Sequence, residues 1–241
     1  MGRRSTKKGR KGKKNRCASI RRKQRGGVKS DFGEVELAAL PNVTMLFNEQ
    51  SIQIVSTRST VELSIVSIPI THDMIENLLE KNEEKDVLSG VTHVFLSYCI
   101  GKDEIFNNFI AILLKIKDLK SFSLRSVPNT VGSCVRTLIQ YFPFMPNLTT
   151  LDLYNNGISN FTWGTLPTVW SELFDKLPSL KMLTSLNLSM NDMGDTGGKQ
   201  LASVLPSMKN LVELNLENTN LSPDCIELLN NKKLSTLKII T

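Results

Sequence analysis

The chain has little of the side chain that does most acid–base work near neutral pH: two histidines, His72 and His93, in 241 residues. No glycine-rich phosphate loop, nucleophile–base set or paired-carboxylate motif accompanies them, so a non-catalytic protein is expected. The cysteines are also sparse. Cys17, Cys99, Cys134 and Cys225 lie far apart, with no CxxC pair and no metal-ligand spacing. That leaves no motif for a metal, a cofactor or a disulfide framework, and points to a reducing, intracellular setting. No stretch of 18 or more apolar residues offers a membrane span. The N-terminus carries charge but lacks the apolar core of a signal peptide. The Asn-x-Ser/Thr triplets at Asn42, Asn147, Asn160, Asn187 and Asn220 are accordingly read as incidental.

One stretch lacks a whole sign of charge. Residues 1–29 hold 14 Lys or Arg and no Asp or Glu, so the remaining 16 basic residues face all 23 acidic ones. The stretch carries +14 and the rest of the chain −7; the overall +7 describes neither. With almost no apolar content, residues 1–30 cannot bury enough surface to fold alone, and a disordered basic tail is expected there. Lys13, Lys14 and Arg16, then Arg21, Arg22, Lys23 and Arg25, form basic clusters of the kind import receptors read. Nuclear or nucleolar targeting, contact with RNA or DNA phosphates, and attachment to acidic lipids all follow from the same charge. A cytoplasmic location is the alternative. The stretch has no Phe, Tyr or Trp, which argues against base stacking and sequence-specific reading of a nucleic acid.

What the chain has in abundance is leucine at fixed intervals. Leu183, Leu186, Leu188, Asn191 and Met193 fit the pattern L-x-x-L-x-L-x-x-N-x-L. Alternation in a short strand points Leu186 and Leu188 into a core. Leu201, Val204 and Leu205, at i, i+3 and i+4, supply the buried face of a following helix. The Asn191 amide can bond backbone groups of adjacent turns. Gly194 suits the turn, Asp195 a helix N-cap, and Gly197 with Gly198 a close approach of helix to strand. The pattern recurs at Leu148, Leu151, Leu153, Asn156 and Ile158, and at Leu211, Leu214, Leu216, Thr219 and Leu221. Ser222 and Pro223 then read as N-cap and first helical residue. Weaker copies begin at Thr60, Val91 and Leu119, and Leu234, Leu237 and Ile239 start a last strand. The steps between first positions are 31, 28, 29, 35, 28 and 23 residues.

This pattern resembles the leucine-rich repeat, and its period of roughly 28 residues with a true helix resembles the ribonuclease-inhibitor-like subclass. The resemblance implies an α/β solenoid: a curved parallel β-sheet on the concave side, helices on the convex side, and about six or seven repeats. It implies a protein-binding scaffold, with regulation of a small GTPase as an activity known among relatives. The alternative is a ribonucleoprotein-associated protein that binds RNA or DNA through its tail. The expected organisation is a basic tail (1–30), an N-terminal cap (31–59) and a repeat domain (60–241). Helices are predicted near 73–81, 104–116, 131–142, 167–177, 197–205 and 223–230. The longest step holds about seven extra residues and both tryptophans, Trp163 and Trp170. They either plug a widened convex side or offer an exposed anchor to a partner. The sequence stops inside its last strand, so that strand is its own cap, is covered by a partner, or continues in a longer chain.

In such a fold the third, fifth and seventh residues of each repeat point to the concave face. Phe95, Arg125 and Tyr154 are there the types that dominate protein interfaces. Asp152, Asn187 and Asn215 add polar groups, and Glu213 and Glu217 make the C-terminal end acidic. Thr236 and Lys238 are placed on the same face in the last repeat. The expected partner is a protein or peptide bound by a monomer or a hetero-complex. An import receptor or a nucleic acid is the candidate partner for residues 1–29.

Overall fold

The computed structural model describes residues 43–47, 50–56, 60–67, 69–114, 116–127, 133–159 and 168–241. All of these fall in the second of two compact units, 39–241. The basic clusters of the N-terminal stretch, residues 31–42 and Trp163 lie outside the described residues.

Among the described residues nine strands form one sheet in chain order. β1 (Val43–Phe47) and β2 (Gln50–Ser56) pair antiparallel, and β2 pairs antiparallel with β3 (Val61–Val66). From β3 onward every pairing is parallel, through β4 (His93–Ser97), β5 (Ser121–Arg125), β6 (Thr150–Asp152), β7 (Ser185–Asn187), β8 (Glu213–Asn215) and β9 (Lys238–Ile240). One helix connects each parallel pair, as a parallel return requires. These are α1 (His72–Lys85), α2 (Asp103–Leu113), α3 (Ser133–Tyr141), α4 (Val169–Lys176), α5 (Gly194–Val204) and α6 (Pro223–Lys232). The core lies between helices and sheet. Leu63, Val94, Phe122, Leu151, Leu186 and Leu214 make one buried row across the strands. Ile65, Leu96, Leu124, Leu153, Leu188 and Leu216 make the next. At about 1.5–3 kcal/mol for each fully buried side chain, neighbouring units hold each other in place.

The register matches the leucine spacing from β3 to β8 and departs from it at β9. Glu213 pairs with Lys238 and Leu214 with Ile239, so Ile239 occupies the fourth position of its repeat, not the sixth. The Leu237 N–H bonds the Leu234 carbonyl at 3.0 Å, just as the Leu183 N–H bonds Leu180 at 3.1 Å. Leu237 therefore makes the turn bond of an opening residue one place closer to the strand than in the other repeats, and Leu234 belongs to the turn before it. Lys238 takes the third position, and Thr236 falls in the turn.

A second periodic feature is conformational. Ser67, Tyr98, Ser126, Asn155, Met190 and Asn218, the eighth residue of six successive repeats, all have φ between 49° and 60°. A side chain in this left-handed region costs about 1–2 kcal/mol. Five of the six gain a bond to the next unit in return. The N–H groups of Ser67, Tyr98, Ser126, Asn155 and Met190 donate to the carbonyls of Ser97, Arg125, Tyr154, Ser189 and Glu217 at 2.9–3.1 Å. The same bend turns the ninth residue inward. There Asn156, Asn191 and Thr219 are buried and bonded to backbone, the ladder expected of these positions. Cys99 holds an upstream rung with its thiol on the Ile65 carbonyl, 3.5 Å away.

Two assignments around α5 need correction. Asp195 sits inside the first turn, and Met193 takes the cap position with no side-chain cap bond. The Asp195 carboxylate instead reaches the next repeat, accepting from the Ser222 N–H at 2.8 Å and from Ser222 Oγ at 2.7 Å. Those bonds hold its carboxyl below the usual range. Ser222 is itself the cap of α6, accepting from the Cys225 N–H, with Pro223 following as expected. Gly198 relieves a contact between helices, since a Cβ there would stand 2.4 Å from Cys225 Sγ, whereas one on Gly197 would stand 2.6 Å from Met193 Cγ at the start of its own helix.

Trp170 is a core residue. It is fully buried, stacks on Phe174 with ring centroids 5.5 Å apart, and donates its indole N–H to the Asp192 carbonyl at 3.1 Å. Of the two sequence readings for this residue, the plug holds and the exposed anchor does not.

Candidate functional site

The face of the sheet away from the helices is formed by the third, fifth and seventh residues of each repeat. Parallel pairing in register sets equivalent residues side by side, which is how sequence-distant side chains meet there. Phe95, Ser123 and Asp152 form one row; Ser97 and Arg125 lie in the adjacent one. Tyr154 follows the end of β6.

Arg125 is the hub of this face. Its guanidinium makes a two-pronged contact with Asp152, the Nε bond measuring 2.6 Å and the Nη2 bond shorter still. Its Cζ lies 5.6 Å from the Phe95 ring centroid and 6.0 Å from that of Tyr154. Each such contact is worth about 0.5–1 kcal/mol at an exposed site and more once water is excluded. The Asp152 side chain is only 8% exposed, whereas Arg125 remains 43% exposed. The cation is therefore fixed in place with part of its surface still facing out. Ser123 Oγ, in the row between Phe95 and Asp152, is buried with no hydrogen-bond partner among the described residues.

The eight candidate residues divide by what they do. Phe95, Arg125, Asp152 and Tyr154 come together in one cluster. Asp152, Asn187 and Asn215, all at the fifth position, have a local duty as well. Each accepts the N–H two residues on, from Tyr154 at 3.0 Å, Ser189 at 3.0 Å and Glu217 at 2.9 Å respectively. These are side-chain turns that shape the strand end, and at Asn187 they occupy the carboxamide oxygen. Ser189 Oγ also donates to its carboxamide at 2.6 Å. Asn215 Nδ2 donates to Glu217 at 3.1 Å, and Glu213 stands opposite Lys238, so the acidic end is partly engaged within the sheet. Sequence reasoning placed Ser123, a fifth-position residue, on this face without singling it out, and missed the turn-building role of the Asx residues. The signal for the latter was present in the recurrence of Asp or Asn two residues before the seventh position.

The histidines serve separate elements: His72 contacts Glu76 on α1 at 3.2 Å, and His93 Nδ1 lies 2.8 Å from Thr92 Oγ1. Cys99, Cys134 and Cys225 are buried. Among the described residues no helix is long and apolar enough to cross a membrane.

A family model agrees with this architecture. Residues 179–202 match the family model described as a leucine-rich repeat. A search of curated proteins found no match. Among solved structures, the chain is similar to an internalin from Listeria monocytogenes, at 14% identity and a TM-score of 0.39 over 64% of this chain. It spans 35% of that internalin, about a third of its length. It is also similar to a Bacteroides fragilis protein, at 12% identity and a TM-score of 0.28, covering 70% of this chain and 71% of the other. With seven parallel strands, a helix between each pair and a family match centred on its best-formed unit, the chain is a leucine-rich repeat protein.

Proposed function

We propose that the sheet face centred on Arg125 binds a protein or peptide segment. The supporting observation is the Arg125 guanidinium, pinned by Asp152 between Phe95 and Tyr154 and still partly exposed. Arg and Tyr dominate hot spots because they combine large apolar area with directed polar groups and lose little freedom on binding when already held. The Ser123 hydroxyl gives the same place an unused polar group. The repeat length and the full helices favour the ribonuclease-inhibitor-like subclass, and β1 and β2 are read as a cap on the first repeat. The chain acts as a scaffold in this reading, not as an enzyme. Affinity purification of the full chain and of a Phe95→Ala/Tyr154→Ala variant tests it, since that variant leaves the Arg125–Asp152 pair intact. Direct partners are expected to weaken by roughly thirtyfold or more, the effect of losing about 2 kcal/mol at a hot spot. Retention of every partner at wild-type strength would reject the face.

The charge of residues 1–29 favours a second role, in targeting or nucleic-acid contact. With Lys13, Lys14, Arg16, Arg21, Arg22, Lys23 and Arg25 changed to alanine, a fluorescent fusion of the full chain is expected to lose nuclear accumulation. An unchanged distribution would remove the targeting reading.

A further inference from the structure

The turns that lead into the strands repeat as closely as the strands do. Leu113–Leu119, Phe142–Leu148, Leu177–Leu183 and Leu205–Leu211 align residue for residue. Their first residues are buried, and the fourth residue's N–H bonds the first residue's carbonyl at 3.0–3.2 Å in every copy. At the third residue, Ser179 and Ser207 turn their hydroxyls back onto the Lys176 and Val204 carbonyls at 2.7 and 2.6 Å. The equivalent residue after α3 is Phe144. It makes no such bond and stands 73% exposed, edge-on to Tyr141 with ring centroids 6.4 Å apart. At the fifth residue, Lys117, Lys181 and Lys209 are exposed cations, and Pro146 replaces the cation in the third copy. One unit thus gives up a cap-like bond and a solvated charge for an aromatic ring and a proline. Folding does not require this, because the two units downstream fold with Ser and Lys at these places.

The result is a concavity of about 460 Å³ lined by Leu114, Ile116, Lys117, Tyr141, Phe144 and Pro146. It shares Ile116 and Lys117 with a cleft of about 490 Å³ between α1 and α2. Lys117 borders the apolar groove on one side; Lys181 and Lys209 continue the row beyond Pro146, and Asp118 is the one carboxylate in the four turns. The groove lies at the end of the strands opposite Arg125 and Tyr154. It is therefore a different surface from the one assigned above.

We infer that this groove docks an acidic peptide segment of another protein, anchored by one aromatic or branched apolar side chain beside Phe144. Its carboxylates pair with Lys117, Lys181 and Lys209. The apolar lining selects the anchor, and the cation row selects the sign of the flanking charge. A single exposed ring with a proline wall suits one inserted side chain. A nucleic-acid strand would call for successive stacking platforms.

The test is selection of a random peptide display library on the full chain, with counter-selection on Phe144→Ser. That variant installs the residue of the two downstream repeats and keeps the basic N-terminal stretch, so peptides held by that stretch are discarded. Its melting temperature is expected to stay within about 2 °C of wild type. Selected peptides should carry Asp or Glu around an apolar anchor, and should weaken on the order of tenfold or more on Phe144→Ser and on Lys181→Glu/Lys209→Glu. Failure to enrich any Phe144-dependent peptide would overturn the inference, as would peptides of neutral or basic composition. So would an oligothymidylate that binds the wild type and loses that binding in Phe144→Ser.

Discussion

Replacing Asn191 with alanine is expected to lower the unfolding free energy by about 3–5 kcal/mol, out of a total of about 5–15 for a typical protein. The reason is the number of backbone groups that one carboxamide satisfies. Its Oδ1 accepts the N–H groups of Asn156 at 2.9 Å and Ile158 at 3.2 Å. Its Nδ2 donates to the carbonyls of Leu153 and Leu188 at 2.9 Å and of Ser189 at 3.1 Å. Asn191 is 2% exposed, so water cannot replace these bonds without entering the stack. Each orphaned buried group costs about 1–3 kcal/mol, and several are orphaned at once. Asn191→Thr should cost less, because Thr219 holds the next rung with a single hydroxyl on the Leu216 carbonyl at 2.6 Å. Asn191→Asp should cost at least as much as alanine, since it turns an anion toward three carbonyl oxygens. Urea unfolding followed by circular dichroism measures the loss. A change below about 1 kcal/mol for Asn191→Ala would mean that the ladder is not what joins these repeats.

The strands and their inward rows were legible because two constraints coincide in them. A leucine must point inward every second residue, and the inward positions must line up between units to share one core. From β3 to β8 the spacing leaves one register that satisfies both. β9 was misread because Leu234, Leu237 and Ile239 match the same spacing by accident. The turn bond from Leu237 to Leu234 and the pairing of Leu214 with Ile239 decide otherwise. The meeting of Phe95, Arg125 and Tyr154 was legible for the same reason as the core: in-register parallel strands bring the outward positions together too. The grip of Asp152 on Arg125 was not, because it depends on side-chain reach between adjacent strands and not on period. Asp195 and Gly198 were misassigned because the pattern of one repeat was read alone, while their partners, Ser222 and Cys225, belong to the next repeat. Phe144 was visible in the sequence as F-P-F beside two copies of L-P-S. It gained meaning once the hydroxyl bonds of Ser179 and Ser207 established what that position ordinarily does.

Trp170→Ala should be nearly as damaging as the loss of Asn191, at about 3–5 kcal/mol, because it empties a large volume where two repeats join. Trp170 lies in α4 and is fully buried against Phe174 of the same helix. Its indole N–H ends on the Asp192 carbonyl, just before α5, and its ring lies beside Gly197 of α5. Removal therefore leaves a cavity between the two helices and takes a hydrogen bond from the Asp192 carbonyl. The backbone ladder at Asn191 holds the strands of these repeats, so the helix side has little freedom to collapse inward and fill the space. Trp170→Phe should cost less, about 1–2 kcal/mol, as it keeps a ring but not the N–H bond. Differential scanning calorimetry of the two variants, combined with retention of a partner captured by the wild-type chain, separates the roles. A structural plug predicts a large fall in melting temperature for Trp170→Ala, with partner binding preserved below the transition. An anchor for a partner predicts the reverse: unchanged melting and lost binding. The second pattern would contradict the burial of this residue and return Trp170 to the interface.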